Sequence, residues 1–262
     1  MFYLDSYLLA LALLLTLGIL TWAVSLWRRD VSIVDSLWSL MFLVAACSYL
    51  FLATERSPRG LLITLLVAIW AIRLSAYITW RNWGGGEDYR YRAIRHNNEP
   101  NFEVKSLYIV FGLQAILAWI ISLPLLAAIT GENPIGALDL LGVSLWVVGM
   151  AFEAGGDLQL ARFRSNTQNK GRVLDRGLWK YTRHPNYFGD FCIWWGFYLI
   201  ALSAGGWWSV ISPLLMSVLL LKVSGVALLE KAIDERRPEY ADYVNRTNAF
   251  FPGPPKTLRP QD

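Results

Sequence analysis

Cysteine is almost missing from this chain: there are two among 262 residues, Cys47 and Cys192, and both fall inside apolar runs. A disulfide framework and a cysteine-based zinc site are therefore not expected. Histidine is equally scarce, with His96 and His184 far apart in sequence, so no metal centre is expected either. Charge is thin as well. At 17% charged and 55% hydrophobic, the chain is too apolar for an ordinary soluble domain. No internal repeat, low-complexity tract or separate polar domain interrupts it. What it has in abundance is long hydrophobic runs.

Those runs, each about 20 residues, recur from end to end and suffice to cross a hydrocarbon core roughly 30 Å thick. They fall near 6–27, 33–53, 60–80, 106–130, 136–158, 189–204 and 207–229, predicting an all-α integral membrane protein with about seven transmembrane helices. The lead Met1-Phe-Tyr-Leu-Asp-Ser-Tyr7 carries no basic residue, so the first run is expected to remain as a span rather than act as a cleaved signal. With the N-terminus outside and the C-terminus cytoplasmic, 20 of the 24 Lys and Arg lie on inner segments. The outer segments then hold only Arg56 and Arg59, while Arg73 and Lys222 lie within spans. That asymmetry is what the positive-inside rule expects. The chain reads as one membrane domain over 1–262. Spans one to four cover about 6–130, and 136–262 forms a second half with its cytoplasmic loops and tail.

The inner segments are also long, 81–105, 159–188 and 230–262, against minimal outer loops, so a site is expected to open on the inner side. The 159–188 loop holds seven basic residues, including Arg162, Arg164, Arg172 and Arg183, interspersed with Asn166 and Asn186. Arginine forks match phosphate oxygens, although positive-inside bias and lipid headgroups also call for basic residues. Asp157, Gln159 and Asp190 lie beside them, and a purely topological loop has no need of amides and carboxylates. Trp179, Tyr181 and Tyr187 serve equally well as interfacial belt residues or as a stacking wall for a planar heterocycle. Pro185 disfavours helix at His184, so the Tyr181–Asp190 cluster is expected to form the turn into span six. His184 then either shapes that turn or touches a ligand.

Within the spans, Asp35, Arg73, Glu153 and Asp157 are the costly residues. Asp35 lies one turn into span two, and Arg73 is about 10 Å from the inner end of span three at helical rise. The two are placed to pair, either as a structural ion pair or as the lining of a polar cavity, and Tyr77 shares the face of Arg73. The Gly84-Gly-Gly-Glu-Asp-Tyr-Arg-Tyr-Arg92 loop lacks the strand a dinucleotide fingerprint requires. It is expected to fold against the 159–188 loop, with Glu87, Asp88 and Arg90 in salt bridges. In the tail, Glu230, Asp234 and Arg237 fall at helical spacing.

Arg183-His-Pro-Asn-Tyr-Phe-Gly-Asp190, preceded by Phe163-Arg-Ser-Asn166 and Gly177-Leu-Trp179, resembles the cytoplasmic signature of membrane sterol reductases. Glu87-Asp-Tyr-Arg-Tyr91 and the tail Arg236-Arg-Pro-Glu-Tyr-Ala-Asp-Tyr243 are similar to bacterial members of the steroid 5α-reductase family. The resemblance is specific over 157–190 and the tail, and looser over spans one to four. It implies NADPH bound from the cytoplasmic side of a bacterial inner membrane, and reduction of a carbon–carbon double bond conjugated to a ketone, as in Δ4-3-oxosteroids. Carried onto this chain, it implies cofactor contacts at Asp157, Arg162, Arg164, Asn166, Arg172, Trp179, Arg183, His184, Asn186, Tyr187 and Asp190. Glu230, Asp234, Arg236 and Arg237 of the tail would close over the cofactor. In the animal enzymes a Gln-Glu pair on span two and a tyrosine on span three meet the carbonyl and nicotinamide. Here span two offers Asp35-Ser36 and span three Arg73 and Tyr77, so Asp35 and Tyr77 are assigned to polarise the carbonyl with support from Arg73. That departure leaves a steroid or another isoprenoid enone as substrate.

The expected partners are that small apolar enone and membrane lipids, with no nucleic acid, the protein acting as a monomer. Two other classes fit part of the pattern. Isoprenylcysteine-type methyltransferases also carry an Arg-His-Pro-x-Tyr segment, but S-adenosylmethionine lacks the phosphates that would use so many arginines. A lipid-binding or transport protein accommodates the spans and leaves the polar cluster without a purpose.

Overall fold

A computed structural model describes residues 3–223 and 239–256, and among them the chain is entirely helical. The helices are α1 (Leu4–Arg28), α2 (Ile33–Leu52), α3 (Pro58–Asn82), α4 (Tyr89–Asn97), α5 (Phe102–Thr130), α6 (Ala137–Ser165), α7 (Pro185–Ser203), α8 (Trp207–Val223) and α9 (Glu239–Arg246). Five of them, α1, α2, α3, α5 and α6, are long and apolar enough to cross a membrane. α7 has 19 residues but opens on Pro185-Asn-Tyr and carries Asp190, and α8 is shorter still. The remainder of the seventh predicted run, 224–229, lies outside the described residues.

The chain divides into two compact units, Met1–Gly136 with Ala201–Ser209, and Ala137–Ile200 with Val210–Asp262. In the first, α2 packs against α1, α3 and α5. Its core is large and dry: Met41, Phe42, Trp70, Phe111 and Ile121 are fully buried. Polar side chains that enter this core are bonded to neighbouring helices. Ser39 Oγ donates to the Ala71 carbonyl at 2.9 Å, and Tyr49 OH lies 2.7 Å from Ser122 Oγ. Tyr7 and Trp119 stack at 4.2 Å, the indole Nε1 donating to the Tyr7 carbonyl at 2.8 Å. An unmade bond of this kind in an apolar interior costs more than a made one contributes.

In the second unit, α6 and α7 approach backbone to backbone. Gly142, Gly149 and Gly156 recur every seven residues on α6. A methyl group at these positions would meet the Gly196 carbonyl at 2.7 Å, the Gly189 carbonyl at 2.6 Å and the Pro185 ring at 3.0 Å. Only glycine permits that approach, the device by which apolar helices gain packing contact without a hydrophobic driving force.

Two boundaries differ from the sequence expectation. α6 runs to Ser165, seven residues past the expected end of the span at 158, so Arg162 and Arg164 are helical. The signature is likewise not all turn: residues 181–184 form the turn, while Pro185 begins α7 and the Phe188 N–H donates to the His184 carbonyl at 3.0 Å. Proline lacks an N–H and has a helical φ, so it suits the first helical position.

Candidate functional site

The turn before α7 is tied to the tail by a run of hydrogen bonds. Thr182 Oγ1 donates to the Phe250 carbonyl at 2.7 Å, and the Gly253 N–H donates to the Tyr181 carbonyl at 3.0 Å. Arg183 is buried, and its Nη1 donates to the carbonyls of Val244 at 3.0 Å and Thr247 at 2.6 Å. A cation over the last carbonyls of α9 satisfies acceptors that the helix itself leaves open. Tyr243 OH donates to the Trp179 carbonyl at 2.5 Å, and burial pushes its phenol upward. Trp179 Nε1 in turn donates to the Gly156 carbonyl at 3.1 Å. His184, also buried, stacks on Tyr187 at 5.7 Å between ring centroids. Arg183, Trp179 and His184 therefore have framework contacts, and they set the position of the residues that follow.

Those residues meet α6. Asn186 Nδ2 donates to Asp157 Oδ1 at 3.3 Å. Glu153, Asp157 and Asp190 are all buried, at 3%, 5% and 9% exposure. Glu153, Asp157 and Arg164 share one stripe of α6, spaced four and then seven residues apart. Arg164 and Arg172 are exposed beyond it.

A second polar surface lies around the helix. At roughly 100° per residue, Arg162 sits roughly 140° from Asp157, and Asn166 follows just past the helix end. They line a cleft of about 370 Å³ with Gln159, Phe163, Asn169, Leu174, Arg176 and Gly177. The structure thus separates residues that were expected to share one cofactor. Asp157 and Arg164 lie on one face of α6 with Asn186 of α7 against it, while Arg162 lies on the other, beside Asn166 just past the helix end.

In the first unit, Asp35 occupies the first turn of α2, where a helix N-terminus favours a carboxylate. Its ion pair is with Arg90, at 2.6 Å, and not with Arg73. The phenol that donates to it is that of Tyr91, at 2.5 Å, which also accepts from Gln114 Nε2 at 3.2 Å. The expected Asp35–Arg73 pairing fails although α2 and α3 are neighbours, because α4 brings a closer cation. Tyr77 lies against Trp80 and under the Arg81 guanidinium. The Gly84–Arg92 loop does form the expected salt bridges, with partners inside this unit. Glu87 takes Arg95 in a two-pronged pair at 2.8 and 3.0 Å and accepts the Val31 N–H at 3.1 Å. Asp88 caps α4 and bonds the side chain of Arg90. Burial disfavours charge on Arg90, but Asp35 and Asp88 outweigh it and raise the guanidinium pKa. Burial, then Asp35, raises the Tyr91 phenol, so its proton is firmly held.

A model of the family described as "Protein of unknown function (DUF1295)" matches residues 21–247. The chain belongs to the DUF1295 family. An uncharacterized protein of Schizosaccharomyces pombe is 27% identical to this DUF1295 chain over 282 residues, covering 95% of the chain and 80% of that protein. The 3-oxo-5-alpha-steroid 4-dehydrogenase 1 of Bos taurus is 32% identical over 68 residues, 26% of each protein. No solved structure gives a significant match.

Sequence reasoning missed Arg90 and Tyr91 as partners of Asp35, because only the folding of α4 onto α2 joins them, and it missed Gln114 as the donor to Tyr91. It also missed Phe163, Asn169 and Arg176 in the cleft. Their signal was present in part, since 159, 162, 163 and 166 follow helical spacing, but the helix was taken to end at 158. The expected tail contacts Glu230, Asp234, Arg236 and Arg237 lie outside the described residues.

Proposed function

We propose that this DUF1295 protein is an NADPH-dependent membrane reductase that saturates the carbon–carbon double bond of an enone lipid, a Δ4-3-oxosteroid or an isoprenoid of similar shape. The observation that carries this reading is the 32% identity to the bovine 3-oxo-5-alpha-steroid 4-dehydrogenase over 68 residues. Five helices apolar enough to cross a bilayer support an apolar substrate.

The face of α6 around Asp157 suits the cofactor chemically. Buried carboxylates at Glu153, Asp157 and Asp190 are acceptors for amide and ribose hydroxyl donors, and the Asn186 amide both donates and accepts. Arg164 and Arg172 are exposed cations suited to phosphate oxygens. His184 and Tyr187 stack on each other at the start of α7. NADPH bound there would supply a hydride for the β-carbon of the enone. The chain's own task is to stabilise the negative charge that develops on the carbonyl oxygen and to deliver a proton to the α-carbon. Asp35 and Tyr77, with Arg73, remain the proposed polarising groups. Arg90 holds the Asp35 carboxylate in place, and Tyr91 is a second phenol with its proton at that carboxylate.

Purified protein supplied with NADPH and progesterone should consume the cofactor and release the saturated ketone. Asp157→Ala or Asn186→Ala should weaken NADPH binding about tenfold, the scale of one lost polar contact to a charged or buried group. Asp35→Asn should lower turnover with little change in NADPH affinity. Absence of any NADPH binding by the wild-type protein would sink the proposal.

A further inference from the structure

The cleft on the far side of α6 has no part in that reading, yet it is built like a binding site. Its volume of about 370 Å³ falls in the range of small-molecule clefts. The last turns of α6 supply Gln159, Arg162 and Phe163, and the segment after the helix supplies Asn166, Asn169 and Arg176. The walls are held by their own bonds. Gln159 Oε1 accepts the Leu178 N–H at 2.9 Å, which leaves its amide N–H groups to the cleft. Asn169 Nδ2 donates to the Phe163 carbonyl at 2.9 Å and Asn166 Oδ1 accepts the Gln168 N–H at 3.0 Å. Gly177 sits at φ +61, and a methyl there would strike Gln159 Oε1 at 2.5 Å, so the turn that forms this wall needs glycine. The Arg176 guanidinium lies over the Phe163 ring at 5.9 Å, which restricts where its charge can go.

The charge balance selects the ligand. Two guanidinium groups line the cleft and no carboxylate does. Asp175, the nearest acid in sequence, is paired with Arg246 at 2.5 Å. Neither Arg162 nor Arg176 has an ion pair among the described residues. A site with two cations, amide donors and no acid suits a dianion rich in acceptors, and guanidinium forks fit phosphate. We propose that this cleft is a phosphate monoester site, separate from the Asp157–Asn186 face. Position suggests two sources. α6 has 29 residues, and a hydrocarbon core takes about 20, so its last turns lie at headgroup depth. A phosphate can arrive there on a lipid headgroup or on a soluble metabolite.

The test uses the full chain in phosphatidylcholine nanodiscs, with binding read by native mass spectrometry and by thermal unfolding. One arm adds phosphatidic acid to the bilayer, the other titrates glycerol 3-phosphate from the aqueous side. Binding in the first arm alone assigns the lipid source, and in the second alone or in both the soluble one. Arg162→Gln with Arg176→Gln should weaken that binding by about tenfold or more, the scale of losing charge-assisted bonds. Arg164→Gln, on the opposite face, should leave it within about twofold. Both arginines of the cleft are exposed, so their replacement is expected to leave unliganded thermal unfolding unchanged. Failure of both phosphate sources to bind overturns the proposal. So does equal weakening by Arg164→Gln, which would place the phosphate on the Asp157 face instead.

Discussion

Arg59 is a cation at the second position of α3, a helix N-terminus that repels positive charge, and it is only 1% exposed. Three acceptors explain its place. Nη1 donates to the Asn133 carbonyl at 2.6 Å, Nη2 to the Pro134 carbonyl at 2.7 Å and to Ser203 Oγ at 3.3 Å. One side chain thus fastens the start of α3, the connection after α5 and the end of α7. Arg59→Ala should cost about 3 kcal/mol, the scale of removing hydrogen bonds to a charged donor in a buried setting. Arg59→Lys should recover only part of it, because an ammonium cannot fork to two carbonyls. Thermal unfolding in detergent measures both, and an unchanged midpoint for Arg59→Ala would refute this role. From sequence the residue was legible only as one of two outer basic residues. Its two shortest bonds go to backbone carbonyls, which no side-chain pattern announces.

α4 is an element held on by electrostatics as much as by packing. Tyr91 sits in a cluster with Val31, Val34, Phe102, Val110 and Phe111, while Glu87 and Asp88 anchor the helix start. Burial alone would raise both carboxyls. Arg95 and the Val31 N–H at Glu87, and Arg90 at Asp88, overcome it and hold both below the usual carboxylate range. A depressed carboxyl stabilises the fold fully above its ordinary value, here 4.5 for Glu87 and 3.8 for Asp88, and loses that contribution as pH falls toward the folded value. The protection factors of α4 amides, exchange rates being corrected for the intrinsic slowing at low pH, should therefore fall on acidification from about pH 6 to about pH 3, with α2 and α3 still protected. Glu87→Gln with Asp88→Asn should flatten the response; an α4 equally protected at both pH values would refute the anchor. Glycine spacing on α6 belongs to the same scale. The seven-residue recurrence was open to view in the sequence, but its partner was not, since any apolar helix was a candidate until α7 was seen against it.

At the scale of the whole molecule, sidedness is the property for which charge placement argues. With the N-terminus outside and the C-terminus cytoplasmic, position 133 faces out and position 172 faces in. In a chain freed of Cys47 and Cys192, Asn133→Cys should react with an impermeant maleimide in intact cells, and Arg172→Cys only after permeabilisation. The reverse pattern would invert the topology. Composition and run length by themselves determined that the protein is helical and suited to a membrane, because hydrocarbon admits only backbone that satisfies its own hydrogen bonds. They also marked Asp35, Asp157, Asn186 and the arginines of 159–188 as polar groups needing partners. Tertiary structure alone decided who those partners are. Asp35 meets Arg90 and Tyr91 rather than Arg73, and one continuous helix turns Arg162 away from Asp157. Hydrophobic periodicity is a local property of the chain, whereas the pairing of charges depends on which helices fold together and how far each one runs.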